Sequence, residues 1–79
     1  MYIEVVEAKF IKDKEIFIVF NDGNSGVVDF NIFIKKGGVF KGFSDQKLFE
    51  HFKIDTDFGT LVWSDTLDIA PETLYRNIA

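Results

Sequence analysis

The chain has 79 residues and a mass of 9.1 kDa, so we expect residues 1–79 to form a single domain. The absence of cysteine excludes disulfide bonds, thiolate nucleophiles and thiolate zinc sites. The formal net charge is -4, and the excess lies in the last third, where five acidic side chains face Arg76 alone. This acidic third argues against a phosphate-binding surface there and favours a basic or polar partner.

The N-terminal part of the chain predicts a three-stranded antiparallel meander. Polar and apolar side chains alternate over residues 3–11, and residues 16–20 are β-branched or aromatic. Residues 13–14 are a two-residue connection, which is typical of a hairpin. The second strand is apolar on both faces, so we expect it to be central. Turn-forming residues 21–24 then lead to a third strand over residues 27–30.

Short helices are predicted after the meander. A helical turn over residues 32–34 has Asp29 or Asn31 as its cap, and Gly37 has the position of a left-handed terminator. Ser44 is a suitable N-cap for a second short helix. These signals indicate helices of only a few residues each.

The remaining residues predict short strands and a terminal helix. Residues 38–40 are expected to be a connector, and strands are expected over residues 52–55, 60–63 and 67–69. Pro71 suits the first position of a helix of about two turns. The predicted fold class is α+β, with a small, mostly antiparallel sheet. It comprises the three-strand meander, two or three short C-terminal strands, and two or three short helices.

The sequence offers no catalytic constellation. His51 is the single histidine, which excludes paired-histidine metalloprotease motifs and multi-histidine zinc sites. No serine lies in a glycine-flanked nucleophile turn. We therefore expect no enzyme activity and no cofactor, and we interpret His51 as a surface residue near a helix end.

Clustered carboxylates leave one enzymatic alternative open. Asp55, Asp57, Asp65 and Asp68 could supply two ligands to a hard cation such as Mg²⁺, in a small metal-dependent or hydrolytic enzyme. The simpler interpretation makes these side chains turn residues beside Gly59.

A second alternative is weak nucleic-acid binding. Five lysines lie between Lys35 and Lys53, interleaved with the aromatic residues Phe40, Phe43, Phe49 and Phe52. Aromatic rings in a basic groove hold single-stranded nucleic acid by stacking. A chain of this size needs its phenylalanines for the core, and lysine without arginine is typical of a solvated face. Nucleic-acid binding is therefore not expected.

The location expected from the sequence is the cytoplasm. Glu4 and Glu7 stand where a secretory signal would carry basic and then apolar residues. The longest apolar run, residues 16–20, is far short of the roughly 20 residues that span a bilayer. No membrane partner is expected.

The second half carries an ordered series of short motifs. These are Gly37-Gly38-Val39-Phe40, Leu48-Phe49, Gly59-Thr60-Leu61-Val62-Trp63 and Leu67-Asp68-Ile69-Ala70-Pro71-Glu72-Thr73-Leu74-Tyr75. In this order and spacing the chain resembles the domain of unknown function 2442 family, which consists of small prokaryotic and phage-associated proteins. With Asn21-Asp22-Gly23 and Val28-Asp29-Phe30, the resemblance covers nearly the whole chain.

The resemblance implies a compact α+β unit whose gene often neighbours that of another small protein, in a toxin–antitoxin-like arrangement. It implies no catalytic residues. We therefore expect a non-enzymatic protein-interaction module, as the antitoxin-like member of a two-gene pair or through self-association. Trp and Tyr are enriched at the centres of interfaces. The candidate interaction surface accordingly comprises Trp63, Asp65, Asp68, Glu72 and Tyr75.

Overall fold

Alternating apolar side chains build six short strands, and short helical segments lie between and after them. The computed structural model describes residues 2–78. The elements are β1 (Val5–Lys12), β2 (Glu15–Phe20), β3 (Ser25–Asp29), α1 (Asn31–Ile34), a 3₁₀ helix (Gly38–Ser44), α2 (Gln46–Glu50), β4 (Lys53–Asp55), β5 (Thr60–Ser64), β6 (Leu67–Ile69) and α3 (Pro71–Tyr75). The predicted α+β class is confirmed.

The N-terminal meander forms as predicted, with β2 between β1 and β3 in an antiparallel sheet. Ile16, Ile18 and Phe20 point from β2 into the core and are fully or almost fully buried. The hairpin between β1 and β2 has a two-residue turn in which Asp13 has a φ of 48°, a left-handed conformation that aspartate tolerates.

The C-terminal strands form a second antiparallel sheet, with β5 between β4 and β6. The sequence predicted one sheet, whereas the six described strands divide into two. The two sheets meet where the Val5 N–H donates a hydrogen bond to the Gly59 oxygen at 2.9 Å. A strand pattern specifies which residues face the core, but it does not specify which strand edges pair.

Two helix predictions were wrong in detail. Residues 38–40 do not form a connector but begin the 3₁₀ helix, and Ser44 ends that helix instead of capping the next one. The N-cap of α2 is Asp45, whose backbone is extended and whose Oδ1 accepts a hydrogen bond from the Leu48 N–H at 3.3 Å. Because Ser44 belongs to the 3₁₀ helix, Asp45 is the first residue after that helix that can adopt the extended N-cap conformation.

The ends of α1 and α3 follow the predicted signals. Asp29 Oδ1 accepts a hydrogen bond from the Asn31 N–H at 2.9 Å, although Phe30 occupies the N-cap position of α1. Gly37 has a φ of 79°, as expected of a terminator. Pro71 is the first residue of α3, which has five residues and is shorter than two turns. No helix within residues 2–78 is long and apolar enough to cross a bilayer.

The core is a continuous aromatic and aliphatic cluster that spans both sheets and the helices. Phe30 lies at its centre, with its ring centroid 5.3 Å from that of Phe49 and 5.5 Å from those of Phe43 and Trp63. Edge-to-face pairs of this kind stabilise a core beyond the area they bury. Phe58 departs from the pattern, because 71% of its side chain is exposed.

Candidate functional site

Trp63, a member of the candidate interaction surface, lies in the core. The residue is 7% exposed, and its indole Nε1 donates a hydrogen bond to the main-chain oxygen of Phe49 at 2.8 Å. This bond satisfies the polar tip of the side chain inside the molecule and ties β5 to α2. A buried indole whose N–H already has an acceptor presents little surface and no spare hydrogen-bond donor to a partner.

Tyr75 links α3 to the turn between β2 and β3. Its ring packs edge-on against Phe20 with centroids 5.0 Å apart. Its hydroxyl donates to Asp22 Oδ2 at 2.6 Å and accepts from Asn24 Nδ2 at 2.8 Å. The hydrogen bond from Tyr75, followed by those from Asn24, lowers the pKa of Asp22, and the same bond to Asp22 raises the pKa of Tyr75. The polar tip of Tyr75 is thus already paired within the chain.

The three acidic members of the predicted surface are exposed, but the structure brings only two of them together. Asp68 and Glu72 line one groove, whereas Asp65 lies in the turn between β5 and β6, outside that groove. Of the five residues of the candidate interaction surface, Asp68 and Glu72 are the two that line this groove.

This groove, with a volume of about 600 Å³, lies between the N-terminal segment, the β4–β5 turn, β6 and the start of α3. Its walls carry two exposed aromatic side chains, Tyr2 at 87% and Phe58 at 71%. The lining residues are Tyr2, Ile3, Glu4, Asp57, Phe58, Thr60, Asp68, Ala70, Pro71 and Glu72. Four of the ten are carboxylic acids, and none is a lysine or arginine.

The N-terminal wall of the groove is held by Asn21 and Gly59. Asn21 Nδ2 donates to the main-chain oxygen of Tyr2 at 2.8 Å, and its Oδ1 accepts from the Glu4 N–H at 3.0 Å. On the other side, Gly59 packs so closely that a β-carbon there would lie 2.3 Å from the β-carbon of Glu4. The side chain of Asn21 and the lack of a side chain at Gly59 together position this wall.

Sequence reasoning missed the two aromatic residues of the groove. Tyr2 precedes the first predicted strand, and Phe58 stands between Asp57 and Gly59, where the sequence predicts only a turn. The available signal was the occurrence of a large aromatic residue inside a tight turn, since turns favour small and polar residues. A turn aromatic with no place in the core is exposed and free to contact a partner.

Two of the carboxylates considered for a cation, Asp55 and Asp57, lie in one turn. Asp55 Oδ1 accepts a hydrogen bond from the Asp57 N–H at 3.0 Å, which makes this pair part of a turn. Within residues 2–78, no three His, Asp or Glu side chains form a group that could hold a metal ion. His51 Nδ1 contacts the main-chain oxygen of Lys47 at 2.7 Å, at the end of α2.

The aromatic residues considered for nucleic-acid stacking belong to the core. Phe43 and Phe49 are fully buried. Phe40 and Phe52 are half-buried and pack against the same cluster. The lysine segment therefore lacks the row of exposed rings that a stacking platform needs.

The fold is thus a small α+β domain with one acidic, aromatic groove and a core that holds its tryptophan. The family model described as "Protein of unknown function (DUF2442)" matches residues 5–79. The chain belongs to this family. Searches of curated proteins and of solved structures gave no significant match.

Most of the family motif residues have structural roles. Gly37 and Gly38 have φ angles of 79° and 63°, which suit glycine at the entry to the 3₁₀ helix. Pro71 and Leu74 are buried in α3. Val39 is an exception, since 61% of it is exposed. The motifs accordingly specify the fold and, through Gly59, one wall of the groove.

Proposed function

We propose that this protein is a non-enzymatic interaction domain that acts in the cytoplasm and binds another protein through the groove. The observation that carries the proposal is the exposure of Tyr2 and Phe58 on its walls. Aromatic side chains of this size release much ordered water when a partner covers them, and interface centres are enriched in such residues. The groove gives them a concave setting, in which a partner side chain can be surrounded.

The character of the groove suits contacts with a partner. Its ten lining residues combine aromatic, aliphatic and acidic side chains, and they include no histidine, lysine or arginine. The acidic side chains can select a partner by charge, because unlike charges favour the encounter and like charges oppose it.

Family membership supports a second part of the proposal. The resemblance implies a neighbouring gene for a small protein, and we assign that product as the partner, with this chain as the antitoxin-like member of the pair.

The test is a binding measurement between this chain and the product of the neighbouring gene, both purified, by isothermal titration calorimetry. The double variant Asp68→Lys with Glu72→Lys reverses two charges in the groove. We expect it to weaken binding by about tenfold or more, equivalent to about 1.4 kcal/mol. Circular dichroism establishes that the variant is folded.

The control is Asp65→Lys, which makes the same kind of charge reversal once, on an exposed residue outside the groove. We expect the control to bind as the unaltered protein does. If the double variant also binds with unchanged affinity, the groove is not the interaction surface and the proposal is wrong.

A further inference from the structure

Building on the proposed function, we propose that the groove binds an extended peptide segment of the partner protein that carries an arginine or lysine next to an apolar residue. The proposal names the chemistry of the occupant. It follows from the size of the groove, from its aromatic walls and from the sign of its charge.

The size of the groove favours a short segment over a broad domain face. Its volume of about 600 Å³ falls within the range of about 300–1,000 Å³ that is typical of sites for small ligands. Thr60 and Asp68 contribute from β5 and β6, and Ile3, Ala70 and Pro71 add apolar surface. A few consecutive side chains of a peptide can fill such a space, with an apolar one against the aliphatic lining.

The aromatic walls and the carboxylates attract the same chemical group. A guanidinium or ammonium ion is stabilised by the face of an aromatic ring and by a carboxylate oxygen. Phe58 and Tyr2 provide the rings, and Asp57, Asp68 and Glu72 provide the carboxylates. Arginine suits both contacts because its planar guanidinium stacks on a ring while its edge donates to carboxylates.

The charge of the groove excludes other occupants. Phosphate groups of nucleic acid would meet four carboxylic acids and no basic side chain among the lining residues. A bare metal ion would need a set of ligands that residues 2–78 do not form. A cationic side chain on an apolar segment is the remaining chemistry that matches both the charge and the rings.

A second copy of this chain is the competing occupant. Residues 35–41 contain three lysines and Val39, which is 61% exposed. This segment resembles the chemistry that the groove should bind. We favour the partner protein because assembly of a groove with a different surface of the next copy is open-ended and tends to produce fibres. The experiment below separates the two.

The experiment is a nuclear magnetic resonance titration of the ¹⁵N-labelled full chain with three synthetic peptides. The first is acetyl-Leu-Arg-Leu-Arg-Leu-amide. The second replaces both arginines by glutamate, and the third replaces all leucines by serine. We expect the first peptide to shift the amide signals of Phe58, Thr60 and Asp68, with an affinity about tenfold or more above that of either other peptide. Added salt should weaken its binding.

Two variants locate the binding site. Phe58→Ala and, separately, Asp68→Asn with Glu72→Gln should each weaken binding of the first peptide several-fold, whereas Asp65→Asn should not. Binding that is unchanged in both groove variants, or shifts that map elsewhere, overturns the inference. Equal binding of the glutamate peptide or of the serine peptide also overturns it, because then charge or the apolar neighbour is not recognised.

Self-association is read from the same samples. If the groove signals shift with protein concentration in the absence of peptide, and Lys35→Glu with Lys36→Glu abolishes that shift, the occupant is a second copy and the inference is wrong. The proposed function is tested separately. It is wrong if Asp68→Lys with Glu72→Lys leaves binding of the neighbouring gene's product unchanged.

Discussion

Gly59 lies against Glu4 with no room for a side chain: a β-carbon at Gly59 would be 2.3 Å from the β-carbon of Glu4 and 2.8 Å from its α-carbon. Gly59 also has a φ of 64°. The turn between β4 and β5 can therefore approach the N-terminal segment only because this motif position is a glycine. The contact positions one wall of the groove.

Gly59→Ala should destabilise the fold strongly. The methyl group meets the backbone of Glu4, which cannot move aside as a flexible side-chain tip could. We expect a loss of about 2 kcal/mol or more in the free energy of unfolding, combining the clash with left-handed strain. Urea denaturation followed by the fluorescence of Trp63 measures it.

The matched control is Gly23→Ala. Gly23 also has a positive φ, 91°, but a β-carbon there meets no atom within 4 Å. This substitution should cost only the conformational strain, about 1 kcal/mol. Equal losses in the free energy of unfolding for the two variants would show that the close contact with Glu4 does not contribute to the effect of Gly59→Ala.

Trp63→Phe should lower the free energy of unfolding, although the new residue is also aromatic. The smaller ring leaves a void among buried neighbours, and the Phe49 oxygen loses its donor. We expect about 2 kcal/mol or more of destabilisation. Phe58→Leu, which alters an aromatic residue that is 71% exposed, should change stability by less than about 0.5 kcal/mol. Circular dichroism during denaturation compares them, and similar losses would contradict the assignment of Trp63 to the core.

The Tyr75–Asp22 hydrogen bond should make stability depend on pH at both extremes. The pKa of Asp22 is lowered from 3.8, so its contribution is complete above about pH 4 and is lost as pH falls through the lowered value. The pKa of Tyr75 is raised from 10.0, so its contribution is complete below about pH 10 and is lost as pH rises through the raised value.

Tyr75→Phe should abolish the alkaline loss, because the titrating hydroxyl is gone, and should reduce the acid loss, which the hydrogen bonds from Asn24 to Asp22 partly retain. Thermal denaturation across the pH range tests this, with Tyr2→Phe as the control that keeps the dependence. In the Tyr2→Phe background, the ultraviolet absorbance of tyrosinate reports Tyr75 alone and gives its pKa directly. A value at or below 10 would contradict the hydrogen bond.

Asn21→Ala should loosen the N-terminal wall while leaving the core folded. The substitution removes the bonds to the Tyr2 oxygen and the Glu4 N–H, at a cost of about 1–2 kcal/mol. Hydrogen exchange at the Glu4 amide should accelerate, and the groove should bind its peptide more weakly. Asn31→Ala is the control, since Asn31 is exposed and lies outside this contact. Unchanged exchange at Glu4 would show that Asn21 does not hold the wall.

Much of the fold could be predicted because local signals and tertiary structure agree. The alternation in β2, the two-residue turn at Asp13 and the proline that begins α3 are each decided by residues close in sequence. Ser44 and Asp45 show the limit: both are good caps, and only the length of the preceding 3₁₀ helix decides between them. The division into two sheets depends on contacts between distant segments, such as Val5 with Gly59.

The site was less predictable than the fold. Trp63 and Phe58 are both aromatic residues near glycine or polar turns, and their burial is opposite: 7% against 71% exposed. Burial depends on which side of β5 the chain folds against, and local sequence does not contain that information. The exposure of Asp68 was easier to predict, since this residue alternates with the buried residues Leu67 and Ile69 in β6.

The position of Tyr2 and Ile3 in the groove bears on how the protein should be produced. A purification tag fused on the N-terminal side of Tyr2 would lie close to the groove, and a histidine-rich tag, which is cationic below about pH 6.5, would be near four carboxylates. Such a tag could occupy the groove and imitate a weak partner. Affinities should therefore be measured on protein whose N-terminal tag has been removed, or on protein tagged at the other end.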